Sequence, residues 1–213
     1  MSRGNPGFKG AHRVKALVDK VGAASLLVLT APVLGLAMLA IRVEGGGDAI
    51  FVQERLGLNG APFRLYKLRT MGPATNADGS QRTDAERLGR LGRLLRASSV
   101  DELPQLLNVL RGEMSLVGPR PLLVQYGPRY TPEQARRHAM RPGLTGWAQV
   151  NGRNAISWEE KFRLDTWYID NWSLGLDAKI LAMTAARVLG ASGISSAGNA
   201  TMPEFMGTGV GAT

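Results

Sequence analysis

Val21–Ile41 is twenty-one residues long and contains no Asp, Glu, Lys or Arg. At about 1.5 Å per residue, a helix of that length covers roughly the 30 Å of a bilayer's hydrocarbon core. The segment before it is polar and basic, with Arg3, Lys9, Arg13, Lys15 and Lys20. A signal peptide shares this basic-then-apolar order, but the run is longer than a usual signal core, and no small-residue cleavage site precedes the next structured segment. The run therefore reads as a membrane anchor. Pro32 lies near its middle, after Thr30 and before Gly35, where it removes one helical hydrogen bond and bends the chain. A kinked spanning helix and a re-entrant one that returns to the cytoplasmic face both satisfy these residues, and periodicity does not choose between them.

The rest of the chain bounds the chemistry. With 213 residues there is room for one ordinary domain and an appendage, hence for one site. A formal charge of +9, from 26 Lys and Arg against 17 Asp and Glu, suits phosphate esters, nucleic acid or an acidic membrane surface. There is no cysteine and there are two histidines, which excludes disulfides and Cys-based zinc and leaves a hard, oxygen-bound ion as the metal to expect. A basic nucleic-acid-binding module and a non-catalytic membrane scaffold are the competing classes; the apolar run argues against the first.

Along the chain, Gly45–Gly47 form a flexible exit, then Ala49–Gln53 and Pro62–Met71 read as strands, the second with Phe63, Leu65, Lys67, Arg69 and Met71 on one face. Residues 72–82 read as a mobile loop. Thr83 and Glu86 form a capping box opening a helix with Leu88, Leu91 and Leu95 on one side. Its arginines, Arg87, Arg90 and Arg93, equally describe a solvated or headgroup-facing surface. Met114–Pro121 reads as strand then turn, Ser157 and Glu160 open a helix through about Asn171, and Leu176–Val188 is amphipathic. Gly190–Thr213 is small, Gly-rich and weakly patterned, which reads as a disordered tail.

One ten-residue stretch, Arg96–Gln105, holds Arg96, Asp101, Glu102 and a proline suited to a first helical turn, Pro104. That places two carboxylates at a helix N-terminus, where backbone N–H groups and the helix dipole favour phosphate, and where one carboxylate can hold Mg²⁺ or attack phosphorus. Taken alone, two such carboxylates are more often helix caps.

The ordered motifs resemble the bacterial sugar transferase family, the small monotopic phosphoglycosyl transferases, from about Lys15 to Val188. They are Phe51-Val52-Gln53-Glu54-Arg55-Leu56-Gly57, Tyr66-Lys67-Leu68-Arg69-Thr70-Met71, Ser99-Val100-Asp101-Glu102-Leu103-Pro104-Gln105-Leu106, Asn108-Val109-Leu110-Arg111-Gly112, Met114-Ser115-Leu116-Val117-Gly118-Pro119-Arg120-Pro121, Arg141-Pro142-Gly143-Leu144-Thr145-Gly146 and Gln149-Val150-Asn151-Gly152-Arg153. The resemblance implies an α+β monotopic membrane protein with three parts. Residues 1–47 form a basic N-terminus and a re-entrant helical hairpin, 48–190 a compact cytoplasmic catalytic domain, and 191–213 a flexible tail. It implies that Asp101 attacks the β-phosphate of a UDP-sugar, that UMP leaves, and that undecaprenyl phosphate then takes the phosphosugar, with Mg²⁺ assisting at Asp101 and Glu102. Lys67, Arg69, Arg96, Arg120 and Arg153 are the expected substrate-phosphate cations, with Arg141 a weaker candidate. The place of action is the cytoplasmic face of the bacterial inner membrane, and no nucleic acid is expected as partner. Where the family commonly has Ser-Pro in the buried hairpin, this chain has Ala31-Pro32, with Thr30 as the substitute hydroxyl.

Overall fold

The computed structural model describes residues 6–45, 47–76, 78–152, 156–189 and 204–208. The apolar run lies inside one long helix, α1 (Pro6–Gly45), helical at every position including Pro32. The expected hairpin, two helices turning at Pro32, is therefore replaced by a single continuous element. Pro32 removes one internal bond, and the Thr30 hydroxyl does not take the place of that bond: it donates to Leu26 O (2.7 Å), a carbonyl one turn back.

Two faces of α1 differ sharply. Lys15, Asp19, Ala23, Ala37 and Ile41 are buried, and Leu27, Leu34 and Met38 pack beside them, so the covered stripe recurs every three or four residues along most of the helix. Opposite lie Val14, Leu17, Val18, Val21, Val28, Leu29, Leu36 and Val43, all exposed; Val28 and Leu29 are about three-quarters exposed. Residues Gly10–Glu44 are long and apolar enough to cross a membrane, with a mean hydropathy of 2.3 in the most apolar stretch.

Polar bonds pin the N-terminal half of α1 to the body. Lys15 Nζ donates to Val117 O (3.0 Å) and to Asp177 (2.6 Å). Asp19 accepts from Ser115 Oγ (2.7 Å) and Leu116 N (3.2 Å), and the Tyr168 hydroxyl donates to Asp177 (2.6 Å). Each buried charge is thus matched and hydrogen-bonded, the condition under which burial is tolerated.

After α1 comes an antiparallel hairpin, β1 (Ile50–Leu56) and β2 (Pro62–Leu68), in a register pairing Phe51 with Lys67, Gln53 with Leu65 and Arg55 with Phe63. Asn59 and Gly60, both at positive φ, turn the chain between them. Leu68 packs on α1 through Ala37 and Ile41, whereas Leu65 joins the main core. The segment read as a mobile loop is closed by a bridge between Thr75 and Gln81 and by Arg82 N donating to Ala74 O. The capping box at Thr83 forms, but its helix, α2 (Asp84–Arg87), lasts one turn. Gly89 has extended ψ and restarts the chain as α3 (Arg90–Ala97), so the single expected helix is two.

Next come α4 (Gln105–Arg111), β3 (Ser115–Val117), a short α5 (Pro132–Ala135), β4 (Gly143–Thr145), α6 (Trp147–Asn151), α7 (Trp158–Asn171) and α8 (Leu174–Leu189). β3 and β4 are parallel, Ser115 opposite Gly143 and Val117 opposite Thr145. The crossing is so tight that a Cβ on Gly143 would stand 2.0 Å from Gly118 N, and one on Gly146 2.1 Å from Gly118 O. The two glycine-bearing motifs are thereby explained as halves of one backbone contact. The core around them contains Leu106, Val109, Met114, Val117, Tyr168 and Ile180.

Within the segment expected to be a flexible tail, residues 204–208 are packed onto the body. Phe205 is 2 % exposed among Leu122, Tyr126 and Phe162. Arg129 pairs with Glu204 (2.8 Å), and Gln134 donates to Thr208 Oγ1 (2.6 Å). A single aromatic in a short, weakly patterned segment gives no periodic signal, which is why the sequence pattern does not show this docking.

Candidate active site

Asp101 and Glu102 lie in a single 3₁₀ turn, Val100–Glu102, between α3 and α4. The turn is entered through Ser99, one of two non-glycine residues with positive φ (58°) among the described residues. That conformation costs a few tenths to about 1–2 kcal/mol for a side chain with a Cβ, and it swings Asp101 inward, to 6 % exposure.

The helix begins only at Gln105, and four of the nearby N–H groups are bonded within the chain: Glu102 N on Ser99 O, Leu103 N on Val100 O, Leu106 N on Leu103 O and Leu107 N on Pro104 O. Most of the positive charge at this turn comes from side chains.

Those side chains converge from three segments. Lys67 of β2 donates to Glu102 Oε1 (2.8 Å) and stands 3.8 Å from Asp101 Oδ2. Arg120, in the loop after β3, reaches the same Glu102 oxygen at 2.6 Å. Arg96, near the end of α3, donates to Thr70 Oγ1 (2.9 Å) and acts electrostatically on Asp101. Behind Arg120 stands a buried pair that no local pattern announces: Arg137 donates to Asp165 (2.7 Å) and to the Arg120 carbonyl (2.7 Å), fixing the loop.

The two carboxylates sit in opposite electrostatic situations. For Glu102, burial pushes the pKa up, but Arg120 and Lys67 outweigh it and hold the group far below an ordinary glutamate, so it is a fixed anion. For Asp101, burial is the largest influence and raises the pKa, with Lys67 opposing and Glu102 adding to the rise. Among the described residues no hydrogen bond ends on the Asp101 carboxylate, whereas Glu102 Oε1 accepts two. One carboxylate neutralises cations; the other is left with unused lone pairs, the condition of a nucleophile.

Of the cations expected from the sequence, Lys67, Arg96 and Arg120 are brought to the dyad. Arg69 is not: β2 ends at Leu68, the alternation stops, and Arg69 is exposed with only its backbone bonded, to Ala49 O (2.8 Å). Arg153 lies outside the described residues. Arg141 lines a separate cavity of about 680 Å³ with His12, Arg13 and Trp172.

Residues 10–191 match the bacterial sugar transferase family. The chain belongs to that family. This bacterial sugar transferase is 52 % identical over 196 residues to the "Uncharacterized sugar transferase EpsL" of Bacillus subtilis, covering 92 % of this chain and 97 % of that one. It is 50 % identical over 188 residues to the "UDP-glucose:undecaprenyl-phosphate glucose-1-phosphate transferase" of Caulobacter vibrioides, covering 82 % of this chain and 69 % of that protein. A protein of the same printed name from Xanthomonas campestris pv. campestris is 39 % identical over 188 residues, and there the bacterial sugar transferase spans 39 % of its relative's length. Family membership sets the chain among transferases, as the motif order implied.

Proposed function

We propose that this chain transfers a sugar 1-phosphate from a UDP-sugar to undecaprenyl phosphate through a covalent phosphosugar on Asp101, releasing UMP and starting a surface glycan. The observation that carries the reading is a buried, unbonded aspartate beside a glutamate whose charge is already committed to Lys67 and Arg120. The names of the Caulobacter and Xanthomonas relatives support the donor and the acceptor.

In the first step an Asp101 oxygen forms a bond to the β-phosphorus, the bond from that phosphorus to the bridging oxygen breaks, and UMP leaves with the electron pair. In the second, a phosphate oxygen of undecaprenyl phosphate attacks the same phosphorus and the Asp101 carboxylate departs. Both substrates use one phosphoryl position in turn. Lys67, Arg96 and Arg120 offset charge on the phosphoryl oxygens, and Glu102 keeps Lys67 and Arg120 in place. Asp101 and the second oxygen of Glu102 also suit Mg²⁺, which binds through one or two carboxylates plus substrate phosphate and water, and which would neutralise the diphosphate. Two carboxylates facing three cations make a weak metal site alone, so the diphosphate and the ion are expected to bind together.

A screen of UDP-sugars with undecaprenyl phosphate, read as UMP release by membranes containing the protein, tests this function. One UDP-sugar should give turnover that excess EDTA removes; no UMP from any of them would refute it.

The contacts of α1 support a shallow lipid arrangement. A helix held to one domain near both ends, by Lys15 on Asp177 and by Ile41 beside Leu68, cannot cross the bilayer without drawing that domain into lipid. It lies in one leaflet, the exposed apolar face in the hydrocarbon and the Asp101 turn at headgroup level, with both chain ends in the cytoplasm. The chain lacks cysteine, so Ser2→Cys and Thr213→Cys can be labelled singly with an impermeant maleimide. Both should be shielded in intact cells and react after lysis; outside labelling of the Ser2 variant would contradict the arrangement.

A further inference from the structure

One charged side chain at this site has no role so far. Arg55 lies on β1, and the strand register puts it, with Gln53, on the sheet face that carries Lys67. Its Nη2 donates to Gln53 Oε1 (2.5 Å), while its Nε is buried without a hydrogen-bond partner among the described residues. A buried donor left unpaired is costly, and here it belongs to a cation. Its backbone bridges to Leu123, three residues beyond Arg120, so Arg55 lies beside the Arg120 loop. Burial first, then Arg120, bring the Arg55 pKa down to about 10, with Glu102 among the opposing groups.

The charge count points the same way. Lys67, Arg96, Arg120 and Arg55 face two carboxylates, Asp101 and Glu102. The surplus of two positive charges, with one guanidinium edge unfilled, is complementary to a diphosphate. If phosphorus is attacked at Asp101, the second phosphate of the donor needs a cation of its own, and Arg55, beside the Arg120 loop, has a donor to offer.

We propose that Arg55, held by Gln53, is a further substrate-binding residue that takes the phosphate remaining with the nucleotide, and thus recognises UMP as well as the UDP-sugar. The assignment rests on the reading of the site as a UDP-sugar:polyprenyl-phosphate transferase, yet its test does not require turnover. UMP binding to the full chain in lipid nanodiscs, measured by calorimetry, should weaken by about 10- to 100-fold in Arg55→Gln, the range of one lost charge-assisted contact. Arg55→Lys should recover part of it, since charge returns without the planar fork. In turnover with UDP-glucose, or whichever UDP-sugar is used, KM for the donor should rise in parallel, and KM for the polyprenyl phosphate should stay within about twofold.

If Arg55→Gln folds poorly, as a lower Tm would report, Gln53→Leu keeps the arginine while freeing it, and should weaken UMP binding in the same direction but less. Unchanged UMP affinity in Gln53→Leu and Arg55→Lys, or equal weakening of donor and lipid acceptor, overturns the proposal. Failure of the wild type to use any UDP-sugar would instead overturn the transferase reading.

Discussion

Asp101→Asn should abolish UMP release, by about 10⁴-fold or more, the scale seen when a covalent nucleophile is removed. The amide has nearly the same shape but no anionic oxygen to attack phosphorus. Folding should survive. Because burial raises the Asp101 pKa, the ionised form is the disfavoured one in the folded protein, and a neutral amide relieves a desolvation cost in exchange for a 3.8 Å attraction to Lys67. The Tm of the variant should equal or slightly exceed that of the wild type. The same shift fixes the acid limb of the pH profile. Attack requires the carboxylate, so activity falls as pH drops through the folded pKa of Asp101, which lies above the ordinary aspartate value of 3.8. Glu102 cannot produce that limb, since it stays ionised far below it. Kinetics of UMP release against pH, with melting curves on the variant, check both statements; near-normal release by Asp101→Asn contradicts the assignment.

Glu102→Gln should be the more damaging change to the fold of the site. Oε1 of Glu102 receives Lys67 and Arg120 together, so an amide leaves two cations facing each other with little counter-charge. Removing one partner of a fully buried ion pair costs about 3–5 kcal/mol. Here the cost should be smaller, about 1–3 kcal/mol, because the Arg120 side chain is 41 % exposed and solvent screens it. Activity should fall by about 10²- to 10³-fold through misplacement of both cations. The pH dependence identifies the cause. A glutamate whose folded pKa is depressed contributes stability that is present above its ordinary value of 4.5 and lost as pH falls toward the folded pKa. The stability gap between wild type and variant should thus be full at neutral pH and narrow on acidification below about 4.5. Denaturant melts across that range measure it, and a gap independent of pH would mean that shape, not charge, is what Glu102 supplies.

Much of the framework is legible in the residues because it is locally encoded. Ser157 with Glu160 opens α7, which ends at Asn171 where the pattern ends, and the amphipathic stretch from Leu176 becomes α8. The hairpin is visible from alternation, yet alternation carried past Leu68 to Met71 places Arg69 on the face of Lys67. Motif order marks the dyad but not its setting: Pro104 signals a helix start, whereas Asp101 and Glu102 lie in a separate 3₁₀ turn entered at Ser99, before the helix begins at Gln105. Arg55 and Arg137 are silent in the sequence for a common reason. An arginine in a strand or short helix reads as solvated, and only the non-local contacts of Arg55 with Leu123 and of Arg137 with Arg120 and Asp165 show otherwise. Pro32 announced a break that a helix supported along one face does not need.

The central claim is that Asp101 carries the phosphosugar between the two half-reactions. Intact-mass spectrometry of the purified chain, incubated with its UDP-sugar and Mg²⁺ but without lipid acceptor, reads that state directly. A mass increment of one phosphosugar should appear on the wild type, map to the peptide containing Asp101, disappear when undecaprenyl phosphate is added, and never form on Asp101→Asn. UMP release that proceeds only when both substrates are present, with no adduct on the chain, would contradict the account.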